Sequence, residues 1–560
     1  MIGGAALLAD GMITPPISVT SAIEGLKQVP AMHGIHQNTI IWIVVSILSF
    51  LFFIQQFGTK FIGRFFGPIM LCWFLMLGIL GVIHLADDIH IFKAFNPYYG
   101  IHLLITYPAG FYILGGVFLC TTGAEALYSD LGHCGKWNIR YSWIFVKSCL
   151  ILNYLGQGAW LLRNYHGQTI TSQMIESGFN PFYGVMPSWF LYFGIGIATA
   201  AAIIASQALI SGSFTLISES MRLNLWPKLK INYPTEERGQ LYIPAVNMML
   251  FAGCVGIVLY FRKASNMEAA YGLAITLCMI ATSILFSNYL VLKRAKPLFI
   301  YAYLSIYLLI ELSFLWANME KFPHGGYVAV IMGGALFLVM NVWFAARKIK
   351  NRYVEFVRLE HYIPQIQELS NDKTVPKYST HLVYLTSADN PKEIEHKIMY
   401  SILNRKPKRA DIYWFVHVNT LDDPYTAEYK VEHIIPNDII RVDMRLGFRV
   451  QPRINLMFRK VVEDLSANRE VNINSRYESL ERSNTVGDFS FIVMEKYLSQ
   501  DNELSIRESM IMKIYFWLKS VSLSEERGFG LDTSSVQVEK FPLVVSPLKT
   551  VHLSRNEPGS

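Results

Sequence analysis

Three oxygen-bearing side chains recur at one-turn spacing near the start of the chain. Asp10, Thr14 and Ser18 are four residues apart, so on a helix they share one face. Pro15 and Pro16 lie between them, and two prolines remove two backbone donors, which should break or kink the helix. Freed carbonyls, a carboxylate and two hydroxyls would form a pocket of oxygen atoms, which hard cations prefer.

A second set of the same kind occurs about 110 residues later. Thr122 and Glu125 are three residues apart and would lie on one helix face, and Gly123 between them lets the backbone bend. Interrupted helices with polar backbone at the membrane midplane are the ion sites of many secondary transporters. We therefore expect the two sets to belong to one ion pathway.

Other polar residues inside apolar segments give weaker signals. Glu311 is central in its segment, and a proton-linked role and a structural role are equally compatible with that position. Tyr271 lies near the start of another segment, from which its hydroxyl could reach a central site. Asn153, Gln157 and Gln207 are interpreted first as helix-packing residues, because amides bond across neighbouring helices in membranes.

Composition divides the chain into one part typical of membrane proteins and one part typical of soluble proteins. The 560 residues are 52% hydrophobic and 16% charged, whereas soluble domains have about 25% charged residues. Residues 1–350 contain 34 charged residues and residues 351–560 contain 57. We therefore expect a membrane domain at 1–350 and a cytosolic domain at 351–560. Wholly soluble, disordered and small disulfide-rich classes are excluded.

The membrane part contains ten apolar runs that reach or approach the roughly 20 residues needed to cross a bilayer. They are residues 2–26, 39–57, 65–85, 108–128, 142–162, 187–219, 243–261, 267–291, 298–317 and 325–346. Fifteen Lys and Arg lie between the runs on one side and six on the other. Because basic residues favour the cytoplasmic side, both ends of this chain are expected in the cytoplasm. The same rule accounts for the basic excess, so no nucleic-acid partner is expected.

Five sequence stretches in this order closely resemble the Kup-type (Kup/HAK/KT) potassium uptake family. They are residues 8–25, 122–133, 152–159, 204–212 and 269–276. The resemblance implies an inverted-repeat fold like that of amino-acid/polyamine transporters, followed by a cytosolic α/β domain. It also implies K⁺/H⁺ symport across the plasma membrane (the cell inner membrane), without any cofactor besides the transported K⁺ and H⁺.

The resemblance also assigns roles to residues. The ion and proton machinery it implies comprises Asp10, Thr14, Ser18, Thr122, Glu125 and Tyr271, with Glu311 as a second-tier candidate. Potassium is expected at Asp10, Thr14, Thr122 and Glu125. Glu125 is the preferred proton carrier and Asp10 the preferred ion contact, although the two roles could be reversed.

One family motif is absent from this sequence. The first helix of the family carries Gly-Asp-Ile-Gly-Thr-Ser-Pro-Leu-Tyr, which occurs nowhere in the chain. Residue 1 aligns inside the third family helix, so ten of twelve helices are expected here and an inactive fragment is one alternative. A passive channel is another, although no Thr-Val-Gly-Tyr-Gly filter is present. An organic-solute carrier of the same fold is the third.

The C-terminal part has a mixed α/β pattern. Strands are predicted at 381–386, 412–418 and 489–494, and helices at 392–403, 450–465 and 506–518. No P-loop, HExxH motif or Gly-rich nucleotide fingerprint occurs, so a membrane-tethered enzyme is the less favoured hypothesis. Regulation or formation of a homodimer through this domain is the expected role.

Overall fold

The structure, a computed structural model, separates the chain into two compact units. It describes residues 1–32, 34–58, 60–107, 110–123, 135–171, 174, 179–232, 234, 241–352, 355–421, 423, 425–447, 450–481, 485–498, 505–522, 524, 528–531 and 535–543. One unit comprises Met1–Ser220 and Leu229–Asn341, and the other comprises Met221–Lys228 and Val342–Ser560. The second unit therefore includes the ends of two helices that begin in the first.

The first unit is helical. Its helices are α1 (Ile2–Glu24), α2 (Gln37–Ile54), α3 (Lys60–Leu85), α4 (Pro97–Thr106), α5 (Gly110–Val117), α6 (Lys136–Tyr165), α7 (Pro181–Gly184), α8 (Leu191–Arg222), α9 (Pro244–Phe261), α10 (Ala264–Leu292), α11 (Pro297–Met319) and α12 (Gly326–Arg352). Helices α8 and α12 end in the second unit.

Eight helices of the described part are long and apolar enough to cross a membrane: α1, α2, α3, α8, α9, α10, α11 and α12. They confirm eight of the ten predicted runs. The fifth predicted run forms α6, whose 30 residues suffice to span a bilayer. Helix α6 is absent from the eight because Lys147, Asn153 and Gln157 lower its hydropathy.

The fourth predicted run does not form one continuous helix. Helix α5 ends at Val117, and one 3₁₀ segment continues to Thr121. Thr122 is extended and Gly123 has φ +103°, a conformation that glycine adopts at little cost. The predicted bend at Gly123 is therefore confirmed, and residues 124–134 lie outside the described part of the chain.

Helix α1 is the most enclosed of the eight spans. Within its most apolar stretch 61% of residues are buried, compared with 50% in α8 and α10 and 11% in α11. Helix α11 exposes large apolar side chains such as Leu309 and Trp316, as expected of a surface that faces lipid. The chain therefore places its first polar set in the interior of the helix bundle.

Pro15 and Pro16 are predicted to break or kink the helix. The break is wrong, because α1 runs without interruption from Ile2 to Glu24, and the kink stays a prediction. The φ angle of proline is close to that of an α-helix, so the backbone can stay helical at Pro15 and Pro16 although each proline lacks the N–H that would donate a helix hydrogen bond. Neighbouring helices in membranes commonly provide partners for the carbonyls that lose their donors. The site below contains one such partner.

Polar amides inside the helix bundle join helices, as predicted. The buried Gln55 and Gln207 side chains exchange two hydrogen bonds, at 2.6 and 3.0 Å. Asn153 donates to the Leu77 carbonyl and accepts from Gln157. These contacts confirm the helix-packing interpretation of Asn153 and Gln207, whereas Gln157 contacts Asn153 on its own helix.

The second unit contains a mixed sheet flanked by helices. Its strands are β1 (Phe356–Arg358), β2 (Lys377–Thr386), β3 (Glu393–Glu395), β4 (Arg409–Leu421), β5 (Ala427–Ile435), β6 (Ile439–Gly447), β7 (Phe489–Leu498) and β8 (Val536–Leu543). Its helices are α13 (Ile363–Asn371), α14 (His396–Leu403), α15 (Ile454–Ala467), α16 (Glu478–Glu481) and α17 (Ile506–Val521). Six strands form one sheet in the order β5-β6-β4-β2-β7-β8, in which only β5 pairs antiparallel.

Alternating side chains of the central strands divide the core into two layers. On one face Trp414 packs with Phe458 of α15. On the other face Tyr384 packs with residues of α13 and α14, such as Ile366 and Ile398. This arrangement confirms the predicted α/β class, since strands of a parallel sheet are buried on both faces. The three predicted strands form β2, β4 and β7.

Candidate ion site

The first predicted set is centred on a buried carboxyl group. Asp10 is 1% exposed, and the Thr14 hydroxyl donates to its Oδ1 at 2.6 Å. Both residues lie on α1, one turn apart, where the helical spacing brings their side chains together. The structure therefore places a carboxylate and a hydroxyl side by side on α1, the most buried of the spans.

The neighbouring carbonyl of Gly11 is freed by Pro15. Pro15 has no N–H, so it cannot donate to the carbonyl four residues earlier. The Cys254 thiol of α9 lies 3.9 Å from that carbonyl oxygen, and a thiol is a weak donor. Helix α8 packs closely against Gly11, because a Cβ at this position would lie 2.6 Å from Ser213 Oγ. A carbonyl oxygen that the residue four positions later cannot satisfy thus lies next to Asp10 in sequence.

The second predicted set joins two distant segments. The Tyr271 hydroxyl of α10 donates to Thr122 Oγ1 at 3.2 Å, and Thr122 Oγ1 donates to the Leu119 carbonyl at 2.8 Å. Both Thr122 and Tyr271 are half-buried. The structure therefore pairs two residues that the resemblance assigned to the same machinery. Glu125 lies outside the described residues.

Two other predicted residues occupy different environments. Ser18 is half-buried on α1, one turn beyond Thr14. Glu311 of α11 is buried and accepts a hydrogen bond from Ser283 of α10 at 2.6 Å. Among the described residues its other oxygen, Oε2, has no hydrogen-bond partner. Glu311 is thus a buried carboxyl held by one neutral donor.

Two polar neighbours of these residues were not predicted. Cys254 near Gly11 and Ser283 at Glu311 lie in apolar helices without any unusual local pattern, whereas Ser213 near Gly11 belongs to the polar Ser211-Gly212-Ser213 stretch, which favours helix packing first and cavity lining second. From the sequence alone such residues are interpreted as helix-packing residues, because hydroxyls and thiols commonly occur at helix contacts in membranes. Only the tertiary arrangement shows which of them face a carboxyl or a freed carbonyl.

The site is built from oxygen atoms rather than from imidazole or clustered acids. Within the described ranges, no group of three or more His, Cys, Asp or Glu residues could hold a metal ion. Carboxylate, hydroxyl and carbonyl oxygens suit hard cations such as alkali ions. The oxygen atoms of the described residues here are therefore of the kind that suits a hard cation.

Comparison with known proteins identifies the family of both units. Residues 1–348 match the K⁺ potassium transporter integral membrane domain, and residues 379–550 match the K⁺ potassium transporter C-terminal domain. A probable potassium transport system protein Kup of Flavobacterium johnsoniae is 57% identical over 99% of this chain and 84% of its own length. Probable Kup proteins of Clostridium perfringens and Enterococcus faecalis are 48% and 45% identical, each over 99% of this chain and 84% and 83% of their own lengths. The chain thus belongs to the Kup-type family of multi-pass potassium transporters.

Proposed function

We propose that this chain takes up potassium by K⁺/H⁺ symport, with Asp10 as a direct contact of the ion. The observation that carries the proposal is the carboxyl group that α1 holds at 1% exposure in the interior of the bundle. A charged group inside a span costs at least about 2.5 kcal/mol. Such a group is therefore expected to be compensated by a cation or a proton.

The ion would lose part of its hydration shell and be held by oxygen atoms. Asp10, Thr14 and Ser18 would provide three of them from one helix. Thr122, steadied by the hydroxyl of Tyr271 at 3.2 Å, would provide another. The contacts of Thr14 and Tyr271 support this arrangement because each fixes the orientation of a proposed ligand.

A second carboxyl would carry the coupled proton. Glu125 is the preferred carrier, and an exchange of roles between Glu125 and Asp10 is the variant of this proposal. Glu311 is the second-tier candidate, supported by its burial and its single donor, Ser283. Protonation would remove the charge that burial penalises, so either carboxyl could load and release a proton during the cycle.

The uptake experiment uses a bacterial strain that lacks its own potassium uptake systems. The chain is expressed as it stands, with an empty vector in parallel as the negative control. Symport predicts growth on low potassium, saturable rubidium uptake, and acidification of the cytosol when potassium is added. Uptake that persists unchanged after the proton gradient is dissipated, with the membrane potential clamped, would contradict symport.

Carboxyl variants of the chain separate the roles of the two groups. Asp10→Asn is expected to abolish uptake, and Glu125→Gln is expected to abolish proton coupling. Glu320→Gln serves as the control, because this exposed carboxyl lies at the end of α11. Normal uptake by Asp10→Asn would eliminate Asp10 as the ion contact, whatever the outcome for Glu125.

A homodimer formed through the C-terminal domain is a further part of the proposal. The mass of the detergent-solubilised chain, measured by light scattering, tests this part separately from transport. A monomeric mass at micromolar concentration would contradict it.

A further inference from the structure

The C-terminal unit contains the end of a membrane span. The apolar span that begins at Gly326 continues to Lys350, and its residues from Val342 onward belong to the C-terminal unit. This unit therefore includes the last turns of a helix that is long and apolar enough to cross a membrane. Residues beside the end of such a span are expected at the level of the lipid headgroups.

A cavity of about 540 Å³ lies at this helix end. We call it the basic cavity, and it is lined by Leu223, Asn224, Phe344, Arg347, Lys348 and Arg352. Three of the six residues are cationic, and the exposed Leu223 and Phe344 add apolar wall. A cavity that combines cations with apolar walls suits a ligand that has an anionic head and a hydrocarbon tail.

Helix α17 packs against the same helix end. The Tyr515 ring lies 4.8 Å from the Trp343 ring, centroid to centroid, and Arg352 forms an ion pair with Glu508 at 3.6 Å. From Val342 to Lys350 the span rises about 12 Å, which is comparable to the combined depth of the headgroup layer and the outer acyl region. Helix α17 therefore lies beside the interfacial part of the span.

The opposite face of α17 carries exposed apolar residues. Ile506, Met510 and Trp517 are 87%, 59% and 66% exposed, and their spacing of four and seven residues puts them on one face. The exposed Lys513 lies on the same face. Apolar residues, tryptophan and a basic residue on one face are characteristic of helices that lie in a membrane interface.

We propose that the basic cavity binds the headgroup of an anionic phospholipid, while the exposed face of α17 lies in the same leaflet. The cations at Arg347 and Lys348 attract the phosphate, and Leu223 and Phe344 contact the first acyl carbons. A soluble anion would make no use of the apolar walls or of α17. Because the cavity lies at the end of the apolar helix α12, lipid is always present beside it.

Native mass spectrometry of the detergent-solubilised chain measures the binding of phosphatidylglycerol and phosphatidylcholine at equal concentrations. We expect tighter binding of phosphatidylglycerol. Because each basic residue near a membrane contributes about 1 kcal/mol of attraction to anionic lipid, the Arg347→Gln/Lys348→Gln variant should bind phosphatidylglycerol about 30-fold more weakly. The charge-conserving Arg347→Lys/Lys348→Arg variant should retain binding.

The matched control removes two cations at another helix end. Lys293 and Lys296 are exposed between α10 and α11, outside the basic cavity, so Lys293→Gln/Lys296→Gln should bind phosphatidylglycerol within about twofold of the unchanged chain. An equal loss in this control, or equal binding of the two lipids, would overturn the proposal. Displacement of the lipid by millimolar glycerol phosphate would assign the cavity to soluble anions instead.

Hydrogen–deuterium exchange in nanodiscs tests the part of the proposal that concerns α17. Amides of residues 505–522 should exchange more slowly in phosphatidylglycerol than in phosphatidylcholine. The difference should disappear in the Arg347→Gln/Lys348→Gln variant. Identical exchange in the two lipids would overturn the interfacial position of α17. These readouts do not depend on transport, so they remain interpretable if symport is disproved.

Discussion

The hydrogen bond from Thr14 fixes where the carboxyl group of Asp10 points. It is 2.6 Å long and lies at a buried carboxyl group, so it holds one ligand of the proposed ion site in a single orientation. Hydrogen bonds to charged groups contribute about 1.5–3 kcal/mol. The hydroxyl of Thr14 should therefore affect ion affinity even where it does not touch the ion.

Thr14→Val keeps the branched shape of the side chain and removes this donor. We expect the apparent affinity for potassium to fall about 10- to 100-fold, measured as the concentration dependence of rubidium uptake. Thr14→Ser retains a hydroxyl and should stay within about threefold of the original affinity. Equal losses in the two variants would show that the methyl group matters, and not the hydrogen bond.

His381 is a buried neutral histidine in the C-terminal sheet. Its Nδ1 accepts from Trp414 Nε1 at 3.3 Å, its Nε2 faces the Ile473 carbonyl at 3.3 Å, and its ring stacks on Phe489. Burial lowers the pKa of His381 from 6.5 to about 4, because the charged imidazolium loses its hydration. The folded domain therefore resists protonation at this position.

This pKa makes the stability of the C-terminal domain depend on pH. Below pH 6.5 the unfolded chain binds a proton at His381 that the folded chain does not bind until about pH 4. The free energy of unfolding should thus decrease as the pH falls from 6.5 to 4, by about 3 kcal/mol from this group, and level off below. Urea unfolding followed by tryptophan fluorescence measures the change.

His381→Asn is the control for this titration, since the amide can accept from Trp414 but does not titrate. Its unfolding free energy should be lower at pH 7 and should vary less between pH 6.5 and 4. An unchanged pH dependence in this variant would assign the effect to other groups.

At the scale of elements, the contact between α3 and α6 depends on two glycines. A Cβ at Gly81 would lie 2.4 Å from the Leu152 carbonyl carbon and oxygen, and one at Gly156 would lie 2.5 Å from the Gly81 carbonyl oxygen. The two backbones can approach this closely only without side chains, as small residues allow in membrane helix pairs.

Gly81→Ala should therefore separate α3 from α6 and destabilise the protein by about 1–3 kcal/mol. Thermal unfolding in detergent measures the loss. Gly63→Ala lies on the same helix, with nothing within 4 Å of the added Cβ, and should not lower the unfolding temperature, because alanine favours helix over glycine. If both variants unfold at the same temperature, close packing at Gly81 does not stabilise the pair.

Some elements could not have been predicted from local pattern. Strand β5 is largely exposed and carries alternating charged residues, and β6 contains the buried Arg441 and the half-buried Asp443. Arg441 is compensated by Asp443 at 2.9 Å and by the Ala388 carbonyl at 2.7 Å. The hydrophobic pattern is interrupted at such positions, and only the partner loop reveals why a charged residue is tolerated there.

At the scale of the whole molecule, the distribution of basic residues predicts orientation. A green fluorescent protein fused after Ser560 should fluoresce, and an alkaline phosphatase fused there should be inactive, because the C-terminus is expected in the cytoplasm. The phosphatase inserted after Lys321, between α11 and α12, should be active. The reverse pattern at both positions would invert the proposed topology.

Hydropathy, charge distribution and motif order by themselves determined the membrane and α/β parts, eight of the spans, and the family. These properties are local, because the length of an apolar run and the alternation of a strand are set by neighbouring residues. Only the tertiary structure decided that Tyr271 meets Thr122, that Ser283 meets Glu311, and that α1 continues through its prolines. Those outcomes depend on which helices pack together, and packing joins residues that no sequence spacing relates.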